Sequence, residues 1–190
     1  MPKLIERNDV VEQTFLPWRL ALREDCDAYK GHVYRVLNFT CALLEGKTEG
    51  LAPYGEEREV EDRVAIAACF HDVGIWLDET PDYLEPSRAQ AATWLEEHDR
   101  NAWRPEVDLM IDYHHKLTPY RGDHEILVET FRRADLVDVS LGTMGSGLPR
   151  DFIRSVQKQF PNAGFHTLLL RTFLPYMLTH PWKPLPMMRR

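Results

Sequence analysis

Proline and glycine cluster at five places in the chain, GKTEGLAPYG (46–55), DETPDYLEP (78–86), KLTPYRGDH (116–124), GTMGSGLPR (142–149) and THPWKPLPM (179–187). Such clusters break regular structure, so whatever forms must form between them. The intervening segments have the length of ordinary helices, and their apolar residues recur at three- and four-residue steps, the spacing of a helix with one buried face. No stretch alternates apolar and polar residues for long enough to make a strand. The pattern predicts helices over 18–29, 32–45, 56–72, 87–99, 104–116, 124–141, 149–160 and 164–179, the last kinked at Pro175. With 190 residues and no internal repeat or domain-sized linker, the expectation is a single compact all-α domain spanning 1–190.

Polar residues then stand out by their placement. In 56–72 the series Val60, Val64, Ala67, His71 keeps one face, so His71 lies on the stripe that should face the core. His32 heads the corresponding stripe His32, Val36, Phe39, Leu43. Leu127, Phe131, Ala134, Asp135 and Asp138 share a face of 124–141, and Val107, Met110, Ile111 lead to His114, with His115 beside it. Four helices each turn a histidine or a carboxylate inward. An unpaired buried carboxylate costs several kcal/mol or takes up a proton. Imidazoles and carboxylates converging in a dry interior need a cation between them, and this mixed nitrogen and oxygen set suits manganese, iron, cobalt, nickel or zinc.

The series His32 in YKGHVYRVLNF, His71-Asp72 in AACFHDVGIW and Asp135 in FRRADLVD resembles the signature of the HD superfamily of metal-dependent phosphohydrolases. The flanks agree: HxxR from His32 to Arg35, an apolar run before the HD pair with glycine two residues after it, and ADxxD at Asp135. The likeness covers about residues 20–142, leaving 149–190 as C-terminal helices and tail. It implies an all-α fold of the HD-domain type and a divalent ion held by His32, His71, Asp72 and Asp135. Members with two metals usually add a histidine after the HD pair. Here that segment, DYLEPSRAQAATWL, offers only Asp82 and Glu85, so one ion is expected, and His98 is read as a solvated histidine at a helix end. His114-His115 resembles the HH pair of many members.

The implied chemistry is hydrolysis. Water's pKa falls from about 15.7 toward about 7 on such an ion. Asp72 would orient that water, His114 or His115 would protonate the leaving oxygen, and Asp78 is a weaker acid–base candidate. Arg35, one turn after His32, and Lys116 are the expected phosphate contacts, and Arg121 follows in the same loop; Lys30 is ambiguous, and Arg132 and Arg133 are expected on the solvated face of their helix. A net charge of −7 argues against a nucleic-acid polymer as partner, because that binding is driven by counterion release. The small-molecule substrate is therefore expected to be anionic and local cations to receive it.

Cys26, Cys41 and Cys69 lack CxxC spacing and are expected as small core residues rather than disulfides or zinc ligands. LLLRTFLPYML, interrupted by Arg171 and Pro175, is too short and too polar to cross a membrane, and MPKLIERNDVVEQ has no apolar signal segment, so the expected location is cytoplasmic. The tail PWKPLPMM could pack on a second subunit or on its own domain. The leading expectation is a hydrolase of a small phosphate ester such as a nucleotide. Alternatives are hydration of a small nitrile-like molecule such as cyanamide, as in some relatives, and a non-catalytic domain that binds a nucleotide or a partner.

Overall fold

Asn8 starts the first helix. Its side-chain oxygen accepts from the backbone N–H groups of Val10 and Val11, two of the donors a helix N-terminus otherwise leaves open. From there α1 (Asp9–Leu22) runs through Pro17, burying Val10, Val11, Thr14, Phe15 and Leu22. The sequence places this helix at 18–29. The structure divides that span, because Arg23 leaves the helical region and a short 3-10 turn redirects the chain.

The next helix, α2 (Cys26–Leu44), is the axis of the molecule. Thirteen of its nineteen residues are buried, which means it is surrounded rather than lying at the surface. The main partner along it is α8 (Glu125–Val139), with α4 (Glu57–Phe70) on its other side and α7 (Arg104–Tyr113) closing the bundle against both. The remaining helices complete the fold: α3 (Thr48–Leu51), α5 (Gly74–Leu77), α6 (Leu84–Glu97), α9 (Arg150–Gln159) and α10 (Phe165–Thr179). The computed structural model describes residues 1–78 and 82–179. Among them there is no strand, and one hydrophobic core runs from Val10 to Phe173. The all-α expectation holds. No helix among the described residues is long and apolar enough to cross a membrane. The tail PWKPLPMM lies outside the described residues.

The glycine two residues after His71-Asp72 has a physical reason. A Cβ on Gly74 would sit 2.6 Å from the Tyr83 carbonyl and 3.1 Å from both Pro86 and Ser87, and the Gly74 N–H donates to Ser87 Oγ at 3.0 Å. This contact seats the start of α6 directly on the turn that carries Asp72. Cys69 is buried, Cys26 and Cys41 are half-buried, and all three are free thiols.

Candidate metal centre

Each polar residue of the centre arrives on an element whose ordinary packing delivers it there. His32 rides the buried stripe of α2, and Asp135 and Asp138 project from α8, the helix that packs most extensively on α2. His71 and His114 occupy equivalent positions: each is the residue that ends its helix, α4 and α7 respectively. There each imidazole does the work of a cap, its Nδ1–H donating to the carbonyl three residues back, Ala68 at 2.8 Å and Ile111 at 2.7 Å. The third imidazole is oriented by a carboxylate instead, His32 Nδ1 donating to Asp138 Oδ2 at 2.7 Å.

The consequence decides the chemistry of the site. With Nδ1–H committed in all three rings, the neutral tautomer leaves Nε2 as a lone pair. His32 Nε2 and His71 Nε2 face each other at 2.9 Å, a repulsive arrangement unless something positive lies between them. Carboxylates crowd the same spot. Asp72 Oδ2 is 3.3 Å from His71 Nε2 and 3.7 Å from His32 Nε2. Asp135 Oδ1 is 3.6 Å from His32 Nε2, and His114 Nε2 is 3.4 Å from Asp72 Oδ1. Two overlapping triads, His32-His71-Asp135 and His71-Asp72-His114, each keep their ligand atoms within 4.8 Å of one another.

Protonation follows the same logic. Burial works against a charge on His71, yet Asp72 and Asp135 outweigh it and hold its pKa at about 9. Burial also opposes ionisation of Asp72, but His71 and His114 keep its carboxyl well below the usual range. Asp135 goes the other way, burial raising it against the pull of the histidines. His32 is lowered by burial, partly offset by Asp138. Two carboxylates facing two or three imidazole lone pairs match a divalent ion in charge and in donor type, so the residues present fit the group. The outer contacts fit as well, because a ligating histidine ordinarily donates its other N–H to a carboxylate or a carbonyl.

Arg35 departs from the expectation drawn from the sequence. Its guanidinium is turned away from the Nε2 cluster and buried at 2% exposure. Nε donates to Asp138 Oδ1 at 2.5 Å and Nη2 to Oδ2 at 2.9 Å, while Nη1 donates to the carbonyls of Phe160 and Pro161 at 3.2 and 3.0 Å. A fork held on both sides is structural, and it stands behind Asp138 rather than in front of a substrate. Arg132, expected in solvent, is buried; it pairs with Glu129 and donates to the Lys116 carbonyl at 2.8 Å. Arg133 is half-buried and reaches the Ser146 carbonyl.

Of the histidine pair it is His114 that presents Nε2 to Asp72; the half-buried His115 ring packs edge-on against it, centroids 5.0 Å apart. Lys116 is half-buried two residues further on, its ammonium pKa lowered by burial against the pull of Asp112. Arg121 is exposed and pairs with Glu125, Lys30 bonds Glu12 at 2.8 Å, and Asp78 is exposed at the end of α5. His98 is exposed and stacked on Trp94.

The sequence places Asp138 on the inward face of its helix without giving it a role, and it singles out neither Tyr83 nor Phe165. Asp138 was legible in part, as the second acid of ADxxD one turn from Asp135. Tyr83 was not: buried, with its hydroxyl 3.3 Å from His114 Nε2, it comes from a segment that looked like a loop offering only carboxylates. Phe165 stacks flat on His32, centroids 4.0 Å apart, from a helix far along the chain. No family model, curated protein or solved structure matches the chain.

Proposed function

We propose that the chain is a metal-dependent hydrolase of the HD type, cleaving a small phosphate ester such as a nucleotide. One observation carries the reading: three imidazoles, fixed through Nδ1, aim their Nε2 atoms at two carboxylates in the interior of an all-helical fold. His32, His71, Asp72 and Asp135 would hold the ion. Bound there, a divalent ion lowers the pKa of water toward neutrality and polarises a phosphoryl oxygen.

The remaining work falls to the chain's own groups. Asp72 and Asp135 keep 9% and 8% of their side chains exposed, against 0% for His32 and His71, so substrate approaches over the carboxylates. Asp72 accepts the proton of the attacking water through its remaining lone pairs. As the bond from phosphorus to the leaving oxygen breaks, that oxygen takes a proton from His114 Nε2, a step that requires the imidazolium form of His114, whose Nε2–H faces Asp72 Oδ1 before the reaction. Burial and the charge of Asp72 push the Tyr83 hydroxyl well above its ordinary pKa, so it stays a donor at neutral pH. Lys116 is the proposed phosphate contact, and Arg35 is withdrawn from that role. That withdrawal also favours a second reading, hydration of a small uncharged nitrile such as cyanamide, which needs no guanidinium at the site.

The test is metal analysis of the purified protein, then a panel of phosphomonoesters, phosphodiesters and cyanamide. Phosphate release that disappears in Asp72→Ala supports the first reading, and urea from cyanamide supports the second. Metal bound with no turnover on any of them refutes both and leaves a non-catalytic binding domain.

A further inference from the structure

Residues 149–190 lie outside the part of the chain that carries the HD-like residues, yet the turn between α9 and α10 touches the centre by two routes. Along the first, the Phe160 and Pro161 carbonyls hold Arg35 Nη1, Arg35 grips both oxygens of Asp138, and Asp138 accepts from His32 Nδ1. Along the second, Phe165 stacks on the His32 ring, centroids 4.0 Å apart and planes 13° apart, while the Tyr29 ring lies further off at 6.3 Å and 28°. The turn is itself seated on α2, since Phe160 stacks on Tyr34 at 4.6 Å with planes 2° apart. Gly31 is what lets the turn come so close: a Cβ there would meet the Pro161 carbonyl at 3.0 Å and Arg35 Nη1 at 3.2 Å.

We propose that the 160–165 turn is a clamp that fixes the ring orientation and tautomer of His32, with Arg35 and Phe165 as its positioning residues. A carboxylate that accepts from a histidine sets its tautomer, and it sets the ring orientation more firmly when the carboxylate is itself held. Here Asp138 is held by a guanidinium, and the guanidinium is anchored by main-chain carbonyls whose position depends on the turn. The helices outside the motif-bearing region therefore complete the centre. For its metal readout, though not for its tautomer readout, the inference rests on the reading above.

The experiment uses the full chain labelled with 15N-histidine. In the wild type the hydrogen bond to Asp138 gives His32 a protected, downfield Nδ1–H resonance. Arg35→Lys keeps the charge but cannot bridge two carboxylate oxygens and two carbonyls at once; Phe165→Leu removes the stack; Gly31→Ala pushes the carbonyl and the guanidinium apart inside a helix that tolerates alanine well. Each is expected to shift or broaden that resonance, to mix the tautomers, and to weaken Co2+ binding about 10- to 100-fold with an altered visible spectrum. Should Arg35→Lys fail to fold, Gly31→Ala and Phe165→Leu still decide. Wild-type His32 signals in the folded variants overturn the clamp. A wild type that takes up no Co2+, with variants that still lose the resonance, overturns the metal centre and leaves the clamp standing.

Discussion

Asp138→Asn tests how firmly the back of the centre is built. Asp138 is 2% exposed and accepts three hydrogen bonds, two from Arg35 and one from His32. The amide keeps the shape but loses the charge, and its NH2 must face one of those donors. Removing one partner of a buried pair costs about 3 to 5 kcal/mol, because the other charge is left buried without compensation. Part of this depends on pH. His32 and Arg35, outweighing the effect of burial, hold the Asp138 carboxyl down at about 2, against about 3.9 when unfolded. A carboxyl depressed in the folded state stabilises it fully above the unfolded value, and that stability fades as pH falls through the folded one. The span is worth about 2 kcal/mol between roughly pH 4 and pH 2. Urea unfolding at pH 7 should show the loss of about 3 to 5 kcal/mol. Repeated toward pH 2, it should show the gap between wild type and variant narrowing. A variant within about 1 kcal/mol of wild type at pH 7, or a gap that ignores pH, would refute the reasoning.

The same electrostatics reach the metal. Because His71 carries a proton up to a pH of about 9, zinc binding at pH 7 should release it, and affinity should rise up to tenfold per pH unit until that value; calorimetry in buffers of differing ionisation enthalpy measures the proton count. Zinc at about a hundred times its Kd should raise unfolding stability by about 2.7 kcal/mol, and EDTA should reverse the gain, read as a shift in Tm. Gly74→Ala places a Cβ 2.6 Å from the Tyr83 carbonyl, so overpacking of about 1 to 3 kcal/mol should outweigh the roughly 0.5 to 1 kcal/mol that alanine gains in a helix. A urea midpoint at or above the wild type would show that the turn yields without cost.

Local sequence determined the helices and much of the centre. Periodicity is a property of neighbouring residues, so the inward faces that carry His32, His71, His114 and Asp135 could be read directly. The start of α1 escaped because a single Asn8 side chain sets it, and capping leaves almost no periodic trace. Tertiary structure alone decided the use of the charges. Arg35 has the sequence of a substrate arginine, one turn from His32, and which way it points depended on a carboxylate 103 residues away and two carbonyls 125 and 126 residues away. Tyr83 and Phe165 became part of the centre through contacts with His114 and His32 that no spacing encodes. A helix face is fixed by the geometry of its own turns. A side chain's partner is fixed by what other helices bring within 3 Å of it, and that is settled only when they pack.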